Sequence, residues 1–498
     1  MKHIDGRIFA LSVGLLGLVA FPLALFPEAS SRWITLIYDW LALNFGPLYL
    51  WAGIGSLAFA LFLAFGRYGG VTLGQDSEAP EFGDVSWFAM LFCAGIASGL
   101  LYWGVIEWAY YFRAPPYAAE VGSTEAILWA TSYPLFHWGF TAWGFYTLPT
   151  LAVGYAVHRR NESAYRLSKA CRPVLGDRAD GGLGRLIDVL FMVGILGGAS
   201  TSLGLSTPLI AEGFAQLTGG ERSFGLDVGI VLLCSAIFAA SVYVGLDKGI
   251  RLLSNVNLVL ALALVLFVLV AGDTLFILKM GTSAIGHMFQ NFIRMNLWTD
   301  PIAQSGFVED WTVFYWAWWI AYAPFVGLFV ARISRGRSIR QIVVGMLILG
   351  TAGSWLFFIV FGNYALSLEL DQQLPVLAIL EDRGAPAAIV AVLLSLPLGE
   401  IALAMFCVVA LLYLATTFDS AAYTLAAGAS RDLGAQGEPS RGHRSFWALA
   451  LAILPIALLG IGGLRSLQTA SLVASVPLLA VGCLLAVSLR RALREDFG

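Results

Sequence analysis

Charge is what this 498-residue sequence has least of: Asp, Glu, Lys and Arg make up only 12% of it, about half the share of an ordinary soluble domain. That scarcity excludes a soluble globular enzyme. It also excludes long disordered tails and coiled coils, which need far more charge. The net charge of −3 gives no footing for nucleic acid, because the basic residues fall between apolar runs and form no phosphate-binding patch. Cysteine is scarce and odd in number. Of the five, Cys93, Cys234, Cys407 and Cys483 lie in apolar stretches, which reads as small buried hydrophobes and not as a disulfide framework or a zinc site. Only one histidine of five, His137, lies inside a long apolar run, and packing is its expected role. No organic cofactor is expected.

What the chain has in abundance is hydrocarbon: 59% of residues are hydrophobic and the mean hydropathy is +0.79. A run of about 20 apolar residues crosses a bilayer core as a helix, since backbone in lipid must satisfy its own hydrogen bonds. Twelve such runs are predicted, at 8–27, 46–66, 86–112, 131–157, 186–216, 225–244, 250–271, 309–331, 339–361, 396–429, 445–463 and 467–489. The expected fold is therefore an all-α integral membrane protein. Lys2 and Arg7 precede the first run as in a secretory leader, but its length and the absence of a clear small-residue cleavage site make it a span. With the N-terminus inside, 22 of the 29 Lys and Arg residues fall on the cytoplasmic side, so both termini are expected there. Between the seventh and eighth spans Ile285, Met288, Phe289, Phe292 and Ile293 recur at helical spacing, predicting an amphipathic helix along the outer membrane surface.

The third span is interrupted by Gly95-Ile-Ala-Ser-Gly99 and the eighth carries Pro324 and Gly327, so Gly95, Gly99 and Pro324 are candidate helix breaks or hinges. Gly95 and Gly99 also form a GxxxG, which can equally serve close helix packing. Each interrupted span opens a block of five, and an odd number of spans forces the second block to enter the membrane upside down. Two inverted five-helix repeats after two extra helices follow from that count. The divisions are 1–85, a segment with two peripheral helices; 86–272, the first repeat; 273–308, the interfacial helix and loop; 309–490, the second repeat; and 491–498, a short tail.

Aromatic residues cluster away from the span edges. Trp138, Trp143 and Tyr146 lie on the fourth span, and Trp316, Trp318, Trp319 and Tyr322 on the eighth, where Trp318 and Tyr322 share a helix face. Converging indole faces hold a cation that has no hydrogen to donate, such as a quaternary ammonium, at about 0.5–2 kcal/mol per ring. On the tenth span Thr416, Thr417, Asp419 and Ser420 form a polar island, whose hydroxyls suit sodium or bond back to their own helix. Glu107 and Asp419 are acids within spans, either functional groups or anchors paired across helices.

The segments Trp87-Phe-Ala-Met-Leu-Phe-Cys-Ala-Gly-Ile-Ala-Ser-Gly99, Leu101-Tyr-Trp-Gly-Val-Ile-Glu107, Phe136-His-Trp138, Gly245-Leu-Asp-Lys-Gly249 with Ser254-Asn255, Trp311-Thr-Val-Phe-Tyr-Trp-Ala-Trp-Trp319 and Ala331-Arg-Ile-Ser-Arg-Gly-Arg337 resemble the betaine/choline/carnitine transporter family over about residues 50 to 430. The resemblance implies twelve spans, an inverted-repeat core, a homotrimer in the bacterial inner membrane and transport of trimethylammonium-type solutes. It assigns substrate contacts to the fourth- and eighth-span aromatics named above and adds Tyr110. The third-span motif and Tyr322 are closest to the carnitine/γ-butyrobetaine exchangers of the family, which dispense with sodium and place an arginine in one ion site. Asn257 stands at that position here. Thr416 and Thr417 match the ion-binding hydroxyls of sodium-coupled members, with Tyr413 and the carbonyls of Cys93 and Ile96 as further ligands. A second ion site of those members is replaced by Ile195 and Ala199.

The expected function is sodium-coupled uptake of an onium solute of the glycine betaine, carnitine, choline or dimethylsulfoniopropionate type. Sodium-independent exchange of substrate for product is the alternative. An integral-membrane enzyme would need converging His, Cys or acidic residues, and a channel would need charged rings or a filter loop; neither is present in the spans. Osmotic sensing through a long basic tail is not expected.

Overall fold

The computed structural model describes residues 4–75, 78–94, 98–162, 166–244, 246–431, 439–462 and 464–498, without the side chains of 94, 98, 238–244 and 246–255. Helices make up nearly all of it. Among the described residues the β pairing is confined to two isolated bridges, Ile4 with Ser430 and Thr72 with Ser338. In chain order the helices are α1 (Gly6–Leu25), α2 (Pro27–Phe65), α3 (Asp84–Ala94), α4 (Ser98–Arg113), α5 (Thr124–His137), α6 (Phe140–Gly154), α7 (Leu167–Ala170), α8 (Arg172–Leu175), α9 (Gly182–Thr218), α10 (Phe224–Val244), α11 (Leu246–Ala271) and α12 (Thr274–Leu297). They continue with α13 (Phe314–Ile333), α14 (Ile339–Gly345), α15 (Thr351–Phe357), α16 (Asn363–Leu370), α17 (Val376–Arg383), α18 (Ala385–Leu394), α19 (Gly399–Gly428), α20 (Arg441–Ile461) and α21 (Leu464–Phe497).

Local chemistry sets several of these ends. Asp5, Ser123 and Asp273 each accept from a backbone N–H three residues on, and Ser338 with Gln341 forms a reciprocal capping box at the start of α14. α9 ends at Gly219, whose φ of 71° is the left-handed cap that glycine adopts without strain. Large apolar side chains such as Trp33, Trp40, Trp51 and Phe62 lie exposed along α2, as a lipid-facing surface requires.

Eight helical stretches among the described residues are long and apolar enough to cross a membrane. The count of twelve is not reached by that measure, because several spans are interrupted. The fourth divides into α5 and α6 at Trp138–Gly139, a break that no residue pattern announced; in the third, residues 95–97 between α3 and α4 lie outside the described residues. α2 is longer than its predicted span: Arg32 and Asp39 are the only charged residues of 29–45, and the helix runs on through them. α11 turns through 108° into α12, which carries the predicted amphipathic residues. The stretch between the ninth and tenth spans folds into α17 and α18.

Two expectations are corrected. The eighth span is not interrupted: a π-helical turn at Val308–Val313 leads into α13, which passes through Pro324 and Gly327 as one helix. Pro324 removes one N–H, a loss that membrane helices tolerate when their neighbours pack closely, so it does not act as a break here. Gly327 instead lets α6 approach: an added Cβ would meet Pro149 and the Thr150 backbone N at 2.8–2.9 Å. The segment 491–498 is no separate tail either. α21 continues to Phe497, and Asp496 accepts from Tyr155 and Arg160. Of the proposed hinge residues, Gly95 lies outside the described residues. Gly99 opens α4 and is a packing position, because a Cβ there would meet the Trp318 ring at 2.7 Å.

Candidate functional site

The site begins at the break between α5 and α6. Gly139 adopts φ −103°, ψ −147°, and its amide turns back to the Phe136 carbonyl at 3.2 Å. This leaves the Leu135 carbonyl without its helical donor, and the Trp355 indole fills the vacancy at 2.7 Å. A side chain at 139 would collide with Leu135 O at 2.5 Å, so the turn requires glycine. The break swings Trp138 out of the helical path and toward α13.

There it meets the eighth-span aromatics. The Trp138 ring centroid lies 5.7 Å from that of Trp318 and 5.5 Å from that of Trp319, both nearly perpendicular. Tyr146 packs on Trp319 at 4.6 Å, and Tyr322 lies 6.5 Å from Trp318. Phe358 closes another side of Trp138 at 5.5 Å. The five rings of Trp138, Trp318, Trp319, Tyr146 and Tyr322 each keep 4–8% of their surface accessible, whereas Trp143 and Trp316 have none. Trp143 backs Tyr146 and Trp319 at 5.4 and 6.1 Å, seated over Gly350.

Two bonds from α9 hold the eighth-span rings. The Trp318 Nε1–H donates to the Gly198 carbonyl at 3.3 Å, and the Tyr322 hydroxyl to Ser202 Oγ at 3.0 Å. Gly198 is again a close approach, since a Cβ there would press on the Tyr322 ring at 2.8 Å.

Behind Trp138 lies Glu107, fully buried. Trp138 Nε1–H donates to its Oε2 at 3.1 Å, Tyr315 to the same oxygen at 2.6 Å, and Tyr111 to Oε1 at 2.7 Å. Three donors on one carboxylate offset its desolvation and fix the Trp138 indole. The chain of bonds continues through Tyr111 to His137 Nδ1 at 3.0 Å and from His137 Nε2 to Thr312 at 3.1 Å. With Tyr111 donating to Glu107, His137 serves as donor at Nδ1 and acceptor at Nε2, the neutral tautomer. The packing role expected for His137 thus extends to a link in this network. Tyr111 and Tyr315 were not singled out from the sequence, although the eighth-span motif contains Tyr315.

Three expected substrate contacts fall outside the box: Trp143, which backs it, Trp316 and Tyr110. Trp316 points to the opposite side of α13, against Phe136, His137 and Phe145, with Gly53 of α2 beneath its Nε1. Trp316 precedes Trp318 by two residues, about 200° around the helix, so its ring leaves α13 on the side away from Trp318. Tyr110 packs on Trp311 and Trp103 at 5.1 and 5.9 Å, in a separate aromatic layer that joins the box through Tyr315.

On α19, both threonine hydroxyls donate to the Tyr413 carbonyl, Thr416 at 3.0 Å and Thr417 at 2.8 Å. They bond back to their own helix, yet their oxygen lone pairs stay open to a cation. Among the described residues the buried Tyr413 hydroxyl has no hydrogen-bond partner. These oxygens fit a small hard cation. Ile96 lies outside the described residues, so the full ligand set cannot be assembled. Asn257 is buried where its amide can donate to the Val409 carbonyl and accept from the Tyr413 N–H, one turn before the threonines. Asp419 is an anchor, with Arg444 of α20 at 3.5 Å. Ile195 and Ala199 are buried in apolar packing on α9.

The chain is 36% identical over 443 residues to an uncharacterised transporter of Escherichia coli, covering 89% of this chain and 92% of that one. It is 34% identical over 477 residues to a carnitine transporter of Acinetobacter baumannii, covering 95% and 86%. It is also 34% identical over 481 residues to a probable glycine betaine transporter of Desulfitobacterium hafniense, covering 94% of each. The family description betaine/carnitine/choline family transporter matches residues 7–498, and the chain belongs to that family: it is a multi-pass membrane transporter and not an enzyme.

Proposed function

We propose that this protein takes up an onium solute of the glycine betaine, carnitine, choline or dimethylsulfoniopropionate type by alternating access, driven by sodium. The observation that carries the reading is the meeting of Trp138 with Trp318 and Trp319 at 5.5–5.7 Å, flanked by Tyr146 and Tyr322. A methylated cation placed among these faces is held by ring quadrupoles and needs no carboxylate partner. Glu107 is not a counter-ion in this scheme, because its oxygens are already engaged. It orients Trp138 and, by accepting the indole N–H, enriches the ring in electrons. One sodium ion among Thr416, Thr417, Tyr413 and the carbonyls of Cys93 and Ile96 would brace α19 against the third span. We place the protein in the bacterial inner membrane as a homotrimer with both termini in the cytoplasm, on the family resemblance and the distribution of Lys and Arg.

Sodium-independent exchange is the second reading. Trp318 and Tyr322 bond directly to Gly198 and Ser202 beside Ile195 and Ala199, so α9 and α13 are joined there without an ion. Uptake into proteoliposomes separates the two. Sodium coupling requires that accumulation collapse when potassium replaces sodium, whereas counterflow unaffected by the ion would establish exchange. Trp318→Leu should weaken onium binding, read by tryptophan fluorescence, while remaining folded; wild-type binding in that variant would remove the box from the pocket.

A further inference from the structure

Two grooves follow one another along the seam between α6 and α21. The first is walled by apolar side chains of α2, α6, α13 and α21 and has exposed Trp51 and Cys483 at its border. The second lies one turn further along the same two helices. Ala152 follows Leu148 on α6 there, and Leu489 follows Leu485 on α21. Arg159, Arg160, Lys169 and Arg172 line it, with Glu162 as the one carboxylate among the described residues. We propose that the two grooves together hold one anionic phospholipid, its phosphate among Arg160, Lys169 and Arg172 and an acyl chain lying in the apolar groove.

The physical case rests on how the two grooves adjoin. An apolar groove inside a bilayer offers water no hydrogen-bond partners, so hydrocarbon fills it. A groove that leads into a cluster of cations at the helix ends selects a lipid whose head carries negative charge. The cations are already steered by carboxylates. Arg160 pairs with Asp496 at 2.9 Å and Glu495 at 3.0 Å, Lys169 with Asp180 at 2.5 Å, and Arg172 with Glu162 at 2.6 Å and Asp180 at 2.9 Å. Of these acids only Glu162 faces the groove. The ammonium of Lys169 holds the Asp180 carboxyl below its usual range. Lysine has three N–H donors and arginine five, so a phosphate oxygen can be added without breaking the existing pairs. Ile320, Ala323 and Pro324 of α13 form one wall of the apolar groove. The occupant would therefore brace the back of the helix that presents Trp318, Trp319 and Tyr322, a role independent of which solute is carried.

The test uses the full-length protein, stripped of lipid in detergent and reconstituted with phosphatidylglycerol or phosphatidylcholine of identical acyl chains. Retained lipid is read by native mass spectrometry, and the lipid-induced shift in unfolding temperature is taken against each variant's own lipid-free baseline. Wild type should retain one phosphatidylglycerol per chain in preference to phosphatidylcholine. Lys169→Gln with Arg172→Gln should reduce that preference about thirtyfold, from two surface cations lost. Arg172→Lys, which keeps the charge, should retain it, and Ala486→Trp, which fills the apolar groove, should lower retention of both lipids. Equal retention of the two lipids by wild type, or an unchanged preference in the double Gln variant, would overturn the proposal. So would a thermal shift reproduced by inorganic phosphate alone, or a loss of oligomer in Ala486→Trp with lipid retention unchanged, which would assign the groove to a second copy of the chain.

Discussion

The tryptophans of the eighth span divide by what each indole touches. Trp318 and Trp319 face Trp138 and keep accessible surface, whereas Trp316 is sealed against Phe136 and Phe145. Replacing Trp318 or Trp319 by Leu should weaken onium binding by about 2- to 30-fold, from one cation–π contact of about 0.5–2 kcal/mol. Trp316→Ala should leave affinity nearly unchanged but lower stability by about 3–5 kcal/mol, as truncation of a sealed indole does. Equilibrium fluorescence titration beside thermal unfolding distinguishes the two. Glu107→Gln places an amide NH2 toward Trp138, Tyr111 or Tyr315, leaving at least one donor unpaired at about 1–3 kcal/mol. It should lower both stability and affinity, and Asp419→Asn, which disturbs the anchor to Arg444 away from the box, should spare affinity.

At the scale of elements, glycines let the box helices close on one another. Gly198→Ala should push the Tyr322 ring off Ser202, and Gly327→Leu should wedge α13 from α6, separating the two halves of the box. Solute binding should fall severalfold in the first variant and be lost in the second, with circular dichroism reporting retained helix in both. The long apolar runs were legible because a span needs only length and hydrophobicity. The break at Trp138–Gly139 was not, since neither neighbour is charged and the freed Leu135 carbonyl is satisfied by Trp355 from a helix 220 residues away. Pro324 misled for the converse reason: a membrane helix passes through proline when its neighbours pack tightly.

For the whole molecule, ion and solute sites on different helices have a reciprocal thermodynamic consequence. Sodium should raise solute affinity by the same factor by which solute raises sodium affinity. Thr417→Val should reduce both factors toward one while leaving onium binding in potassium at its wild-type level, measured by paired titrations. Equal affinities in sodium and potassium for wild type would favour the exchange reading and leave the aromatic box untouched.

Scarce charge and helical runs of hydrocarbon were enough to determine a helical membrane protein, because a bilayer admits few other solutions for such a chain. The two aromatic clusters and the polar island of the tenth span were visible for the same reason: aromatic and hydroxyl groups stand out against aliphatic surroundings. Which rings share a space was decided only by tertiary structure. The register of α13 against α6 turns Trp318 and Trp319 toward Trp138 and Trp316 away, and a helix break with no sequence mark aims Trp138 itself. The buried carboxylate that steadies it draws its donors from positions up to 208 residues distant, a convergence that spacing along one helix cannot encode.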